Sequence, residues 1–185
     1  EENKPVQYLT IWDLILTPIY LLIIIAIARR QREKRYPEGH ALRPYFLPGL
    51  YMKLGGAIFI GLLYQFYYGG GDTFNYFRYG QVINSAFADS PNTWFNLLIH
   101  NADLYTPRYY QYITKIPWYN SPANYTVCAI SAFVSLFTFG TYLPAAIIFA
   151  FVSFGGMWAL FKTFASLNST IIRPIAISFL FIPST

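Results

Sequence analysis

The sequence predicts an all-α integral membrane protein, a multispanning helical bundle with amphipathic interfacial helices in a long outer loop. Of its 185 residues, 55% are hydrophobic and 21% aromatic, whereas only 11% are charged. Soluble domains carry about 25% charged residues, so lipid is the solvent that this composition favours. Several apolar stretches also reach the roughly 20 residues that a helix needs to cross a bilayer.

Four apolar stretches predict the membrane spans, at residues 8–28, 45–68, 142–161 and, incompletely, 173–185. Neither a linker nor an internal repeat divides the sequence, so we interpret residues 1–185 as a single transmembrane domain. The chain opens on "EENKPVQ" without a methionine and ends inside an apolar run. We therefore expect it to be part of a larger protein.

The basic residues predict the orientation of these spans. A cluster of Lys and Arg follows the first span at Arg29, Arg30, Arg32, Lys34, Arg35 and Arg43. Short basic loops stay in the cytoplasm, so the N-terminus and loop 69–141 are predicted on the outer side of the cytoplasmic (inner) membrane. Topology thus explains the net charge of +5, and no nucleic-acid partner is predicted.

The outer loop, residues 69–141, is predicted to contain interfacial helices. In "TFNYFRYGQVINSAF", Phe74, Phe77 and Ile83 recur at helical spacing. "DSPNTWFNLLIHN" begins with Ser90 as a candidate N-cap and Pro91 as the first helical residue. The apolar segment 127–140 is short for a span, so we predict a re-entrant or membrane-parallel helix there, with a further span as the alternative.

A lone acid in "YYGGGDTFNYFRYG", Asp72, is the main candidate for chemistry. Glycines permit close approach of a ligand, and a partly shielded carboxylate can act as a general base. Nearby Asn75, Tyr76 and Arg78 can orient polar ligands or bind phosphate. The alternative is that Asp72 is the N-cap of a helix beginning at Thr73.

The acid directly after a span, followed by two amphipathic helices, resembles the first external loop of membrane-embedded C-class glycosyltransferases. "GGGDTFNYFRYG", "TFGTYLPAAIIFAFVSFGGMWALFKTF" and "FLFIPS" are also similar to the N-terminal portion of large bacterial proteins of that superfamily, several linked to polysaccharide polymerisation. The resemblance extends from about Tyr45 onward. Many members carry an acidic pair in this loop, and the loop usually follows the first span; here a single acid follows the second.

This resemblance implies transfer of a sugar from a polyprenyl-phosphate-linked donor to an acceptor, with Asp72 as the catalytic residue. His100, Asp103 and Arg108 complete the predicted substrate-binding set. Arg108 is one of three outer-loop cations, which bind either the carrier phosphate or lipid phosphates. His100 is interpreted as a proton-transfer group or as a cap or interfacial contact at a helix end, and Asp103 as a second acid or a turn residue.

The cofactor is unknown; a divalent cation is compatible with the family, but no metal ligands are predicted. The expected partners are membrane lipids, the polyprenyl-phosphate sugar donor and other membrane subunits. The alternative function is a non-catalytic structural subunit of a larger membrane complex, in which the aromatic outer loop docks a partner. A transporter ranks third, because the spans carry no paired charges.

Overall fold

The computed structural model of the chain describes residues 8–181. This part of the chain is 80% helical and contains no strand, which confirms the predicted all-α class. Three of its helices are long and apolar enough to cross a membrane, at Ile11–Arg35, Arg43–Tyr68 and Tyr142–Leu167. These helices indicate a membrane protein, while the number of crossings and their orientation stay predictions.

Residue contacts group the chain into two compact units. The loop unit combines residues 8–10 with Tyr64–Ala145, and the span unit combines Ile11–Leu63 with residues 146–181. Residues 1–7 and 182–185 of the predicted domain 1–185 lie outside the described residues. The single-domain interpretation stays a prediction.

The span unit contains α1 (Ile11–Arg35), α2 (Arg43–Leu63), most of α7 (Tyr142–Leu167) and α8 (Ile172–Ala176). The first helix extends seven residues beyond the predicted end at residue 28, because Arg, Gln, Glu and Lys are good helix formers. Within the predicted fourth span, α8 is followed by a π-helical turn at Ile177–Phe181. The end of that predicted span, residues 182–185, is not described.

Aromatic side chains form the core of the span unit. The Phe46 ring meets Trp158 edge to face, with centroids 4.8 Å apart. Trp158 Nε1 donates a hydrogen bond of 2.6 Å to the Tyr36 hydroxyl, which satisfies the buried indole. Large apolar side chains also face outward, among them Leu22, Phe59 and Val152. Such an outward apolar surface suits lipid.

The loop unit contains α3 (Asp72–Asp89), α4 (Pro91–Leu98), α5 (Pro107–Ile113) and α6 (Pro122–Phe137). The helices predicted after residues 72 and 90 are thereby confirmed, including Pro91 as the first helical residue. Proline also begins α5 and α6, because its fixed φ suits the first helical position. With 16 residues, α6 measures about 24 Å, less than the roughly 30 Å hydrocarbon core.

The α3 and α6 backbones pack directly against each other at Gly80. A Cβ atom there would lie 2.8 Å from the Ala132 nitrogen and 3.0 Å from the Cys128 oxygen. No larger residue fits without moving α6. This contact fixes α3, which carries most of the predicted site residues.

Candidate functional site

The three glycines that precede Asp72 form a turn between two helical segments. A π-helical turn, Tyr64–Tyr68, extends the segment of α2, and Gly69 and Gly70 then adopt positive φ values of 66° and 159°. The Gly70 amide donates to the Tyr64 carbonyl over 3.0 Å. At Gly71, a Cβ would lie 2.6 Å from the Tyr64 ring. Backbone conformation and ring packing thus account for these glycines without a ligand.

Asp72 is the first residue of α3, with Gly71 at the N-cap position. The interpretation of Asp72 as the N-cap of a helix beginning at Thr73 is therefore wrong, because the helix starts one residue earlier. The carboxylate is exposed, and a negative charge in the first turn interacts favourably with the helix dipole. Within residues 8–181 it has no hydrogen-bond or ion-pair partner.

An aromatic cluster holds the first turn of α3 in place. The Phe74 side chain is fully buried, and its ring stacks on Tyr8 with centroids 4.3 Å apart and planes 4° apart. Tyr142 contacts the same ring at 4.3 Å, and its hydroxyl lies 2.8 Å from Thr73 Oγ1. The Tyr8 amide in turn donates to Gln65 Oε1 over 2.8 Å. Asp72 therefore projects from an anchored helix start.

Asn75 and Tyr76 share one face of α3 with Asp72, because they follow it by three and four positions. The Tyr76 hydroxyl donates to Asn124 Oδ1 over 2.9 Å, so its position is fixed by α6. Arg78 is exposed, but six positions along the helix it lies on a different face. The structure thus brings together three of the predicted site residues and leaves Arg78 apart.

His100 makes a helix-end contact at the end of α4. It adopts a positive φ of 59°, its Nε2 lies 3.0 Å from the Tyr119 carbonyl, and its ring stacks on Tyr125 at 4.2 Å. The Tyr125 hydroxyl donates to the Leu97 carbonyl over 2.6 Å. These contacts support the structural interpretation of this histidine.

Asp103 and Arg108 also make local structural contacts. The Asp103 carboxylate accepts a hydrogen bond of 3.1 Å from the Tyr105 amide, which is the geometry of a turn residue. Arg108 donates to the hydroxyls of Ser90 and Thr93 and so joins α5 to the start of α4. Ser90 follows the last residue of α3, whereas Asp72 is its first. The Arg108 side chain therefore lies at the opposite end of α3 from Asp72, about 25 Å away along the axis of that helix.

Two sets of polar contacts in the loop unit were not predicted from the sequence, those of Tyr112 and those of Asn84. The Tyr112 hydroxyl donates to the Asp89 carboxylate, and burial together with this carboxylate raises the pKa of Tyr112 to about 12. Asn84 links three helices through its amide group. One signal in the sequence could have indicated the role of Asn84. It is a polar residue four positions after Gly80, on an otherwise apolar face of α3.

A shallow apolar groove of about 380 Å³ lies between the end of α4 and α6. It is lined by Leu98, Ile99, His100, Tyr125, Thr126, Ala129, Ile130 and Phe133. Apart from the His100 ring, the Tyr125 ring and the Thr126 hydroxyl, its walls are aliphatic or phenyl groups. The groove therefore suits a hydrocarbon chain better than a sugar.

Across residues 8–181, no group of three or more His, Cys, Asp or Glu side chains lies close enough to hold a metal ion. Asp72 has no second acid beside it in the sequence.

Comparison with known proteins finds no matching family model, no matching curated protein and no matching solved structure. The resemblance to C-class glycosyltransferases stays a prediction.

Proposed function

We propose that the chain belongs to a multispanning glycosyltransferase-like membrane protein. It would transfer a sugar from a polyprenyl-phosphate-linked donor on the outer face of the cytoplasmic membrane. The observation that supports this proposal is the state of Asp72, an exposed carboxylate without a partner in the described chain. It begins an anchored helix four residues after the candidate span Arg43–Tyr68 ends.

The reaction needs a base near the depth of the carrier phosphate. The acceptor hydroxyl would give its proton to the Asp72 carboxylate while its oxygen bonds to the anomeric carbon of the sugar. The bond between that carbon and the phosphate oxygen breaks, and polyprenyl phosphate leaves. Asn75, on the same helix face, would orient the acceptor by hydrogen bonds, and Tyr76 would form a fixed wall beside it.

The phosphate would need a cationic partner. Arg108 is already bound to Ser90 and Thr93, so it is a poor candidate. Arg78 is exposed on α3 and is the outer-loop cation nearest to Asp72 in the sequence. We therefore assign the phosphate contact to Arg78, whose long side chain would have to reach around α3 toward the acid.

The test is complementation of a deletion strain with the full-length gene carrying Asp72→Asn. This change keeps the size of the side chain and removes its basicity, so we expect surface glycan to fall by at least about 100-fold, as when a general base is lost. Membrane abundance of the protein should stay normal, because within residues 8–181 the Asp72 side chain makes no hydrogen bond or ion pair.

Glu38→Gln is the matched control, an acid-to-amide change at an exposed residue between α1 and α2. It should leave both glycan and abundance unchanged. Normal glycan in the Asp72→Asn strain would remove the proposed base and with it the enzymatic function.

A second candidate function is a non-catalytic subunit of a larger membrane complex. It is favoured by the structural contacts of His100, Asp103 and Arg108, which leave fewer polar groups for a substrate. In that case Asp72→Asn would have no effect on glycan. Substitution of the exposed Tyr105 by Asp would instead release partner proteins from the purified complex.

A further inference from the structure

Large apolar side chains recur at three-residue intervals along the outward side of α6 and into the turn that follows it. We call Ile130, Phe133, Leu136 and Phe139 the α6 strip. Their exposed fractions are 47, 49, 44 and 80%. Exposed phenyl and aliphatic groups in this density are costly in water and mark an interaction surface.

The buried side of α6 has the opposite character. Toward its C-terminal half it presents small residues, Ser131, Ala132 and Ser135, and it meets α3 at Gly80. Asn84 of α3 donates to the Ala132 carbonyl and to Ser135 Oγ, both over 2.8 Å. Small residues and interhelical hydrogen bonds inside, with large apolar residues outside, are typical of helices that pack within lipid.

The C-terminal end of the α6 strip leads through a short turn into a candidate span. Only the turn 138–141 separates α6 from Tyr142, where α7 begins, and four residues reach at most about 14 Å. Hydrogen bonds of 2.9 Å from Gly140 to Ser135 and 3.0 Å from Thr141 to Thr138 keep this turn compact. Phe139 has a positive φ of 52°, rare for a bulky residue, while its ring is exposed.

We infer that the α6 strip inserts among the acyl chains of the bilayer, with the opposite side of α6 packed on α3. The groove that Ile130 and Phe133 share with Ile99 would then receive one acyl chain. This inference rests on the part of the proposed function in which α7 crosses the membrane. It is independent of sugar transfer.

The test measures the depth of a spin label at residue 133 in the full chain. Phe133→Cys is made in a Cys128→Ala background, labelled, and reconstituted in phosphatidylcholine–phosphatidylglycerol nanodiscs. Collision with oxygen, which concentrates in lipid, is compared with collision with a water-soluble nickel chelate. We expect an oxygen-to-nickel ratio several-fold above that of Lys115→Cys, which lies exposed after α5.

Val152→Cys supplies the lipid-facing reference, because this residue is highly exposed on the candidate span α7. Ile130→Cys is a second position in the α6 strip and should give the same result as Phe133→Cys. A water-like label at both strip positions beside a lipid-like Val152 would overturn the inference and leave the span intact. A water-like Val152 would overturn the membrane crossing as well.

Two further outcomes would identify a protein, instead of lipid, as what covers the α6 strip. Protection of residue 133 from both reagents would indicate a covering partner chain. Line broadening that disappears on dilution with unlabelled chain would indicate a second copy. Either result would overturn insertion of the α6 strip into the bilayer.

Discussion

At the scale of single residues, the contact between α3 and α6 requires a small side chain at Gly80. Gly80 allows backbone contact with Ala132 and Cys128. The Cys128 side chain is fully buried, and this burial raises the pKa of its thiol to about 11. Because thiol reagents attack the thiolate, Cys128 should react only when α3 and α6 separate.

Gly80→Ala tests this contact. The added Cβ would overlap the α6 backbone, and overpacking of this kind costs about 1–3 kcal/mol. Maleimide modification of Cys128 in the membrane-embedded protein should accelerate by about tenfold, since 1.4 kcal/mol corresponds to one such factor. Gly156→Ala is the control, because no atom lies within 4 Å of a Cβ added there. Equal rates for the native chain and Gly80→Ala would show that α6 adjusts without cost.

At the scale of elements, α3, α4 and α6 are tied together by one amide. Asn84 Nδ2 donates to α6 at Ala132 and Ser135, and Asn84 Oδ1 accepts a hydrogen bond of 3.0 Å from Trp94 Nε1 of α4. The Asn84 side chain therefore forms hydrogen bonds with polar groups on two neighbouring helices at once. Its removal would leave the indole donor and the Ala132 carbonyl with fewer partners.

Asn84→Ala should lower the free energy of unfolding of the loop unit by about 2–3 kcal/mol, at roughly 1 kcal/mol for each hydrogen bond. The urea concentration that exposes Cys128 to a maleimide reports this loss directly. The same change at Asn96, whose bonds go to Asn92 and Asn101 nearby in the chain, should shift the midpoint far less. Equal shifts for the two variants would contradict the linking role of Asn84.

The elements themselves were largely predictable, because hydrophobic periodicity and proline positions are local signals. Helices after Asp72 and Ser90 follow from the Phe74–Phe77 spacing and from Pro91. The extension of α1 through Arg35 was not predicted. A run of basic residues is typical of a cytoplasmic loop, but Arg and Lys also favour helix, and here the helix continues through them. Contacts distant in the sequence, such as Arg108 with Ser90, have no local signal and could not be predicted.

At the scale of the whole molecule, α1, the segment of α2 and α7 are candidate spans, and the side of the membrane on which each of them ends can be measured. If α1 and α2 both cross the membrane, the connection between them and the loop unit lie on opposite sides. The basic residues within 29–43 favour the cytoplasm for the connection between α1 and α2. The side on which α7 ends then depends on α6. A helix of about 24 Å that remains on the outer side leaves α7 to end inside, whereas a spanning α6 would reverse α7.

Cysteine labelling with a membrane-impermeant maleimide in intact cells measures this sidedness. Tyr105→Cys, at a side chain that is 90% exposed, should react in intact cells, whereas Glu38→Cys should react only after the membrane is opened. Leu167→Cys, at the exposed end of α7, separates the two possibilities for α6. We expect it to react only in opened cells, as Glu38→Cys does, because Lys162 toward the end of α7 and Arg173 beyond it then remain inside with the basic residues at the end of α1. Reaction of Leu167→Cys in intact cells would instead show that α7 ends on the outer side and that α6 is itself a span.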